Sequence, residues 1–371
     1  MSKARNVIGM AAAGAMVCAA VPLSVYAAWE IIPSISEAVT EQGSGSAESD
    51  KMYRISDSVR IGSNALDIEA AAEEEETHLP DGSEIPAPKP SDEVIAAVPY
   101  PTGLTDRDGA IEKQTYGGYT GEQYFDLENG GQVRNLTWHT NSDLLAESRK
   151  GKAFAVEIGS DEPQVLIYHT HTTESFELED KDWYDSSFTG KTTEPDKNIT
   201  AVGDEICRQL EAAGISVIHD TLVHDYPSYD AAYDSSRETV TALLAEYPSI
   251  KAAIDIHRDG IETAEGVRIA PVCETPLGEA AQIMIISGCD DGTMGMPDYL
   301  LNFRFACELQ SCAESMFPSL TRPVLFDYRH YNQDLTCGSL LIEVGSHGNT
   351  LDQAKLSGRL LGQSLAKVLS E

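Results

Sequence analysis

Val165-Leu-Ile-Tyr-His-Thr-His-Thr-Thr-Glu174 runs an apolar stretch directly into a cluster of side chains that bind metals. Residues 165–168 are apolar or aromatic and predict a short buried strand. Two histidines and a carboxylate arrive as it ends. His171 and Glu174 stand three apart, so a helical turn after the strand puts both side chains on one face, where they can grip a single ion. His169 would point the same way as His171 only in extended backbone. A lone His-x-x-Glu is more often a polar surface loop, so the rest of the chain decides.

Downstream, the pattern is strand, loop, helix, strand. Ile199, Val202, Ile206 and Leu210 recur at helical spacing, Gly214 ends that helix, and Ile215-Ser-Val-Ile218 reads as a strand. A second helix is predicted over residues 229–247, broken by Pro248, and it leads into the strand Ala252-Ala-Ile-Asp-Ile256. Again a histidine follows at once, His257, with Arg258 and Asp259 behind it. Such units build α/β folds, here a mostly parallel central sheet flanked by helices, in which ligands bind at the carboxyl edge of the strands. Further strands are predicted at residues 266–270 and 282–287, and a helix at 297–316.

The strand Ser339-Leu-Leu-Ile-Glu-Val-Gly345 carries Glu343 in an otherwise apolar run. Burying that carboxylate is costly unless it meets a metal, a proton or a positive partner; the bland alternative is an edge strand that shows it to solvent. Thr350 to Gln353 forms a capping box, and a closing helix extends to about residue 369.

Upstream the character changes twice. Lys3 and Arg5 precede a charge-free, Ala-rich stretch over residues 7–28, read with its flank as a hydrophobic anchor or signal segment, 1–32, that carries the rest of the chain across a membrane. Residues 33–115 are read as an acidic linker rich in Pro, Ser and Gly, with the acidic run 73–76 and alternating Pro86, Pro88 and Pro90. Residues 116–160 read as a small β-rich lead-in module, with strands near 131–137 and 153–157 around a helix near 142–148, and residues 161–371 as the catalytic α/β domain. The chain holds 60 acidic against 26 basic residues, a formal net charge of −34. That balance argues against nucleic acid as a partner. Cys18 lies in the hydrophobic segment; the other six cysteines show no Cys-x-x-Cys spacing and read as buried thiols, with one disulfide open.

His171, Glu174, His257 and Glu343 form one constellation. Two imidazoles and a carboxylate make a three-ligand zinc set with a fourth position open for hydrolysis, and Glu343 is placed to carry the proton. Asp255 is positioned to orient a ligand. Arg258 is a candidate oxyanion donor, or simply a partner of Asp259.

The segments Tyr-His-Thr-His-Thr-Thr-Glu-Ser-Phe from Tyr168, Ile-Asp-Ile-His-Arg-Asp from Ile254 and Leu-Leu-Ile-Glu-Val-Gly from Leu340 resemble the stage II sporulation protein P family, supported by Val217-Ile-His-Asp220 and Tyr233-Asp-Ser-Ser-Arg237. The resemblance covers roughly residues 130–370. It implies a membrane-anchored, extracytoplasmic cell-wall hydrolase of endospore formers. The implied activity is that of a zinc N-acetylmuramoyl-L-alanine amidase, with a second endopeptidase activity on cross-links. It further implies work on peptidoglycan beside a lytic transglycosylase and a membrane protein during engulfment. The family is similar in fold to zinc amidases whose metal is held by His, Glu and His, with a catalytic Glu near the chain end. On that scheme His171, Glu174 and His257 hold Zn2+ and Glu343 is catalytic. Those amidases place the carboxylate ligand at the start of the following helix, where this chain offers Asp204 and Glu205; the His-x-x-Glu spacing is instead similar to zinc carboxypeptidases. His169 is a further candidate ligand. Two other readings stay open: a zinc carboxypeptidase or endopeptidase using the same four residues, and a non-catalytic wall-binding scaffold.

Overall fold

The computed structural model describes residues 98–371. The hydrophobic segment at 1–32 and the part of the linker before residue 98 lie outside the described residues. Among the described residues no helix is long and apolar enough to cross a membrane.

The chain enters through β1 (Gly109–Gln114), β2 (Tyr124–Asp126), β3 (Gln132–Asn135) and helix α1 (Asn141–Ser148). Then follow β4 (Val165–Tyr168), β5 (Trp183–Tyr184), α2 (Thr200–Ala212), β6 (Val217–His219), α3 (Ala232–Glu246) and β7 (Ala252–Asp259). The last part contains β8 (Arg268–Thr275), β9 (Gly278–Ala281), β10 (Ile283–Gly288), α4 (Tyr299–Met316), β11 (Val324–Asp327), β12 (Ser339–Ser346) and α5 (Leu351–Ser370). The fold is mixed α/β. Eight strands make the main sheet in the order β2-β3-β11-β10-β12-β7-β4-β6. Its pairs are parallel except β2 with β3 and β10 with β12. A smaller sheet runs β5-β1-β8-β9.

Alternation of side chains along the strands sorts the core into two layers. Val165 and Ile167 of β4, Ile254 and Ile256 of β7, and Ile342 and Val344 of β12 pack with α2, α4 and α5 in the principal core. Leu166, Tyr168 and Ala253 face the other way, onto Val240 of α3. His257 and Glu343 follow the second parity, so both belong to the face that α3 covers only in part. β12 lies between β10 and β7, so Glu343 is on a central strand and the edge-strand alternative is excluded.

α2 and α5 approach closely through glycines. A Cβ on Gly358 would stand 2.7 Å from the Val202 carbonyl oxygen, and one on Gly362 would stand 2.8 Å from Gln209 Cβ. The predicted capping box starts α5: Gln353 N–H donates to Thr350 Oγ1 at 3.2 Å and Thr350 N–H to Gln353 Oε1 at 3.0 Å. Because a backbone carbonyl cannot retreat like a side chain, Gly358→Val is expected to cost about 1–3 kcal/mol of stability, read as a lowered urea midpoint with an unchanged slope.

Two boundaries differ from the sequence reading. Residues 98–115 are not linker: Tyr100 is buried, Thr193 N–H donates to the Val98 carbonyl at 2.9 Å, and β1 pairs with β5 and β8. Only Ile111 of β1 is buried, so the stretch carries too little apolar pattern to reveal a strand. Nor do residues 116–160 stand apart, since β3 pairs with β11 and extends the main sheet. The strand expected at 153–157 does not form; Phe154 instead meets Phe305 edge-on, with ring centroids 5.1 Å apart. The six cysteines in the described part are free thiols.

Candidate metal centre and active site

β4 ends at Tyr168, and the chain turns immediately. Glu174 N–H donates to the His171 carbonyl at 3.0 Å, so the turn brings the two side chains of His-x-x-Glu together. Threonines hold this turn from several sides. Thr170 donates through N–H and Oγ1 to the Asp255 carboxylate at 2.8 and 2.6 Å, and Thr173 does the same to Asp225 at 3.0 and 2.6 Å. Thr172 Oγ1 contacts the carbonyls of His169 and Leu222, each at 2.7 Å.

His171, Glu174 and His257 converge: one ligand atom from each lies within 4.8 Å of the others, and all three residues are buried. Glu174 Oε1 is 3.7 Å from His171 Nδ1 and its Oε2 is 3.7 Å from His257 Nδ1. Oε2 also accepts the Arg258 backbone N–H at 2.8 Å. On the far side of the His257 ring, Nε2 makes an ion-pair contact of 2.9 Å with Asp255 Oδ1, at an angle short of hydrogen-bond geometry. Asp255 thus touches both the His257 ring and the turn that carries His171. This is the set of donors that a divalent ion of the zinc type requires, with a carboxylate behind one imidazole to fix its ring.

Charge in the cluster is strongly biased. Burial alone would raise the Glu174 pKa, but the neighbouring His171 imidazole and the charges of Arg258 and His257 overcome it and hold the carboxyl down to about 2. Burial would lower that of His257, yet Asp255 and Glu174 raise it to about 10. A cation entering this cluster therefore displaces a proton, as ligand imidazoles must be neutral.

Glu343 sits in register with His257 on the neighbouring strand. It is buried, and its Oε2 has no hydrogen-bond partner among the described residues. Burial, with Asp259 and Glu174 nearby, pushes its pKa up to about 8, partly offset by His257 and Arg322. A bound cation pulls in the opposite direction.

The other sequence candidates lie elsewhere. His169 is fully buried behind the cluster, its Nδ1 2.9 Å from the Ile256 carbonyl and its Nε2 2.9 Å from His219 Nε2. Asp204 faces His219 Nδ1 at 3.1 Å, and Glu205 pairs with Arg208 at 2.6 Å, so neither acid reaches the cluster. Arg258 does not pair with the Asp259 carboxylate: its guanidinium donates to the carbonyls of Asp259 and Gly190 at 3.1 and 3.2 Å.

Aromatic walls are what the sequence reading missed. Tyr229 stacks on His171 with centroids 4.4 Å apart and places its hydroxyl 3.3 Å from Nδ1, while Tyr233 meets the same ring edge-on at 5.5 Å. Tyr233 opens the motif Tyr-Asp-Ser-Ser-Arg, which was the available signal. Asp255→Asn is expected to weaken metal affinity about 10–100-fold, measured by competition with a chromogenic chelator.

The profile of Stage II sporulation protein P matches residues 103–366. The chain belongs to the stage II sporulation protein P family. A curated relative, Stage II sporulation protein P of Bacillus subtilis, is 31% identical over 211 residues, a match covering 52% of this chain and 48% of the relative. The match therefore spans about half the relative's length. Among solved structures, this member of the stage II sporulation protein P family is similar to the CwlD amidase of Clostridioides difficile, solved with the GerS lipoprotein. That similarity has 11% identity and a TM-score of 0.36 over 56% of this chain and 98% of that one. It is also similar to the N-acetylmuramoyl-L-alanine amidase AmiC2 of Nostoc punctiforme, with 11% identity and a TM-score of 0.35 over 57% and 97%.

Proposed function

We propose that this chain is a zinc-dependent peptidoglycan hydrolase of sporulation, an N-acetylmuramoyl-L-alanine amidase that cuts glycan from stem peptide. The observation that carries the reading is the buried convergence of His171, Glu174 and His257 beside Glu343, a buried carboxylate on the adjacent strand. Membership of the sporulation family supports the cellular setting.

The residues fit zinc: two imidazoles and one carboxylate are its usual donors, and three protein ligands leave a position open. When bound, zinc supplies Lewis acidity toward a carbonyl and lowers the pKa of coordinated water. The chain's own groups do the rest. Asp255 fixes the His257 ring, and the Arg258 backbone N–H fixes the Glu174 carboxylate. Glu343 accepts a proton from the attacking water at its carboxylate and later hands it to the leaving amine.

An exported, membrane-attached location through residues 1–32, and work beside a lytic transglycosylase and a membrane protein, complete the proposal. The close His-x-x-Glu spacing favours one second reading, a zinc peptidase acting on wall peptides. Digestion of purified peptidoglycan by the full chain, with and without chelator, separates the two by product mass. Release of free stem peptides and peptide-free glycan, lost on chelation, supports the amidase. Cleavage of cross-links alone supports the peptidase, and metal-loaded protein that releases neither product overturns both.

A further inference from the structure

Arg322 precedes β11 by two residues and is 7% exposed. Its backbone is clamped: the N–H donates to the Ile283 carbonyl at 2.8 Å, and the carbonyl accepts from Gln310 Nε2 at 3.0 Å. Of the guanidinium, Nη1 donates to Asp259 Oδ2 at 2.8 Å, whereas Nε and Nη2 have no acceptor among the described residues. Leaving donors of a buried cation unmatched is expensive, and an apolar residue of similar size would fill the place at less cost. The edge left unmatched is Nε with Nη2, the fork that receives a carboxylate through two parallel hydrogen bonds.

Its placement says what that carboxylate belongs to. Asp259 follows His257 by two residues on the same strand, so Arg322 reaches the face that carries the cluster. The charge of Arg322 acts on Glu343, while the arginine acting on Glu174 is Arg258. Met284, in register with Glu343 on β10, is only partly buried, and its neighbour Ile283 accepts the Arg322 backbone N–H. Arg322 thus enters from β10, the neighbour of β12, and so from the strand that carries Glu343. The Tyr116 and Tyr119 hydroxyls lie in the field of the same guanidinium. Both belong to the loop 115–121, which is fastened at each tyrosine: Tyr116 exchanges two backbone hydrogen bonds with the Gln282 amide at 2.7 and 2.8 Å, and Tyr119 two with the Gln132 amide at 3.0 and 2.9 Å.

We infer that Arg322 is a specificity residue that receives a free carboxylate of the stem peptide on the leaving-amine side of the scissile bond. The inference rests on the amidase reading, in which Glu343 delivers its proton to that amine and groups beyond Glu343 belong to the peptide. In the intact substrate the lactyl carboxyl of the glycan is tied up in the scissile amide, whereas stem peptides carry free carboxylates, so a buried cation on this side reads the peptide.

The test uses the zinc-loaded full chain with Glu343→Gln to prevent turnover, and two probes: a muramoyl tripeptide with a free α-carboxylate on its second residue, and the same peptide with that group as a carboxamide. Calorimetry is expected to show the acid binding at least tenfold more tightly than the amide. Adding Arg322→Gln removes the preference by weakening the acid alone, and Arg322→Lys, which keeps the charge beside Asp259 but not the fork, retains only part of it. Zinc affinity stays unchanged in both. Acid and amide binding within twofold of each other, a folded Arg322→Gln protein that keeps the preference, or no binding of either probe at millimolar concentration overturns the inference. Should Arg322→Gln fail to fold, the acid and amide comparison on the chain that retains Arg322 decides alone. Cleavage of the two probes by the wild-type chain is scored separately: a retained acid preference without cleavage sinks the amidase reading and leaves the carboxylate site standing.

Discussion

Glu343→Gln is expected to lower kcat on peptidoglycan about 10²–10⁴-fold while metal content stays the same. Glutamine matches the shape and keeps an acceptor oxygen, but it cannot take up a proton, so the substitution isolates proton transfer from packing. The position favours a clean result. Glu343 lies in a central strand between two neighbours, in register with His257, and is not among the converging metal donors. Burial disfavours the charged form of Glu343, so in chelator the variant is expected to be at least as stable as the parent. Metal by mass spectrometry, thermal stability and turnover on one preparation check all three statements. Turnover within threefold of wild type would remove Glu343 from the chemistry.

His257→Ala is expected to abolish metal retention after dialysis and reduce hydrolysis to background, as chelation does to the wild-type chain. It also has a stability effect in the metal-free state. His257 is 2.9 Å from Asp255 and 3.7 Å from Glu174, both buried. Without the imidazole those carboxylates lose the cation that holds them charged, and uncompensated buried charge costs about 3–5 kcal/mol. Denaturant unfolding of both chains in chelator measures that difference. Equal stability, or undiminished metal binding, would place the ion elsewhere.

The local parts of this site are readable from spacing. His171 and Glu174 stand three apart after a strand, and the turn that joins them forms as that spacing implies. Gly214 takes φ +78° just beyond α2, and Thr350 with Gln353 closes a capping box, because helix ends are satisfied by neighbours in sequence. Where local pattern was thin, the reading failed. β1 buries one apolar residue, and β11, four residues long, went unseen, although it joins β3 to the main sheet.

What the sequence by itself determined, then, is the α/β class, the histidines beside two buried strands (β7 runs on through His257 to Asp259 rather than stopping at Ile256) and the anomaly of a carboxylate at Glu343 in an apolar run. These depend on periodicity and on the cost of burying charge, both of which act along the chain. Tertiary structure alone decided which candidates meet. It seated β12 between β10 and β7, turned His169 back onto Ile256 and His219, and held Asp204 at His219, away from the cluster. It also brought Arg322 across to Asp259, 63 residues away in the chain. Strand order is set by which apolar faces bury best together, a sum over contacts distant in sequence, and no spacing within one segment encodes that sum.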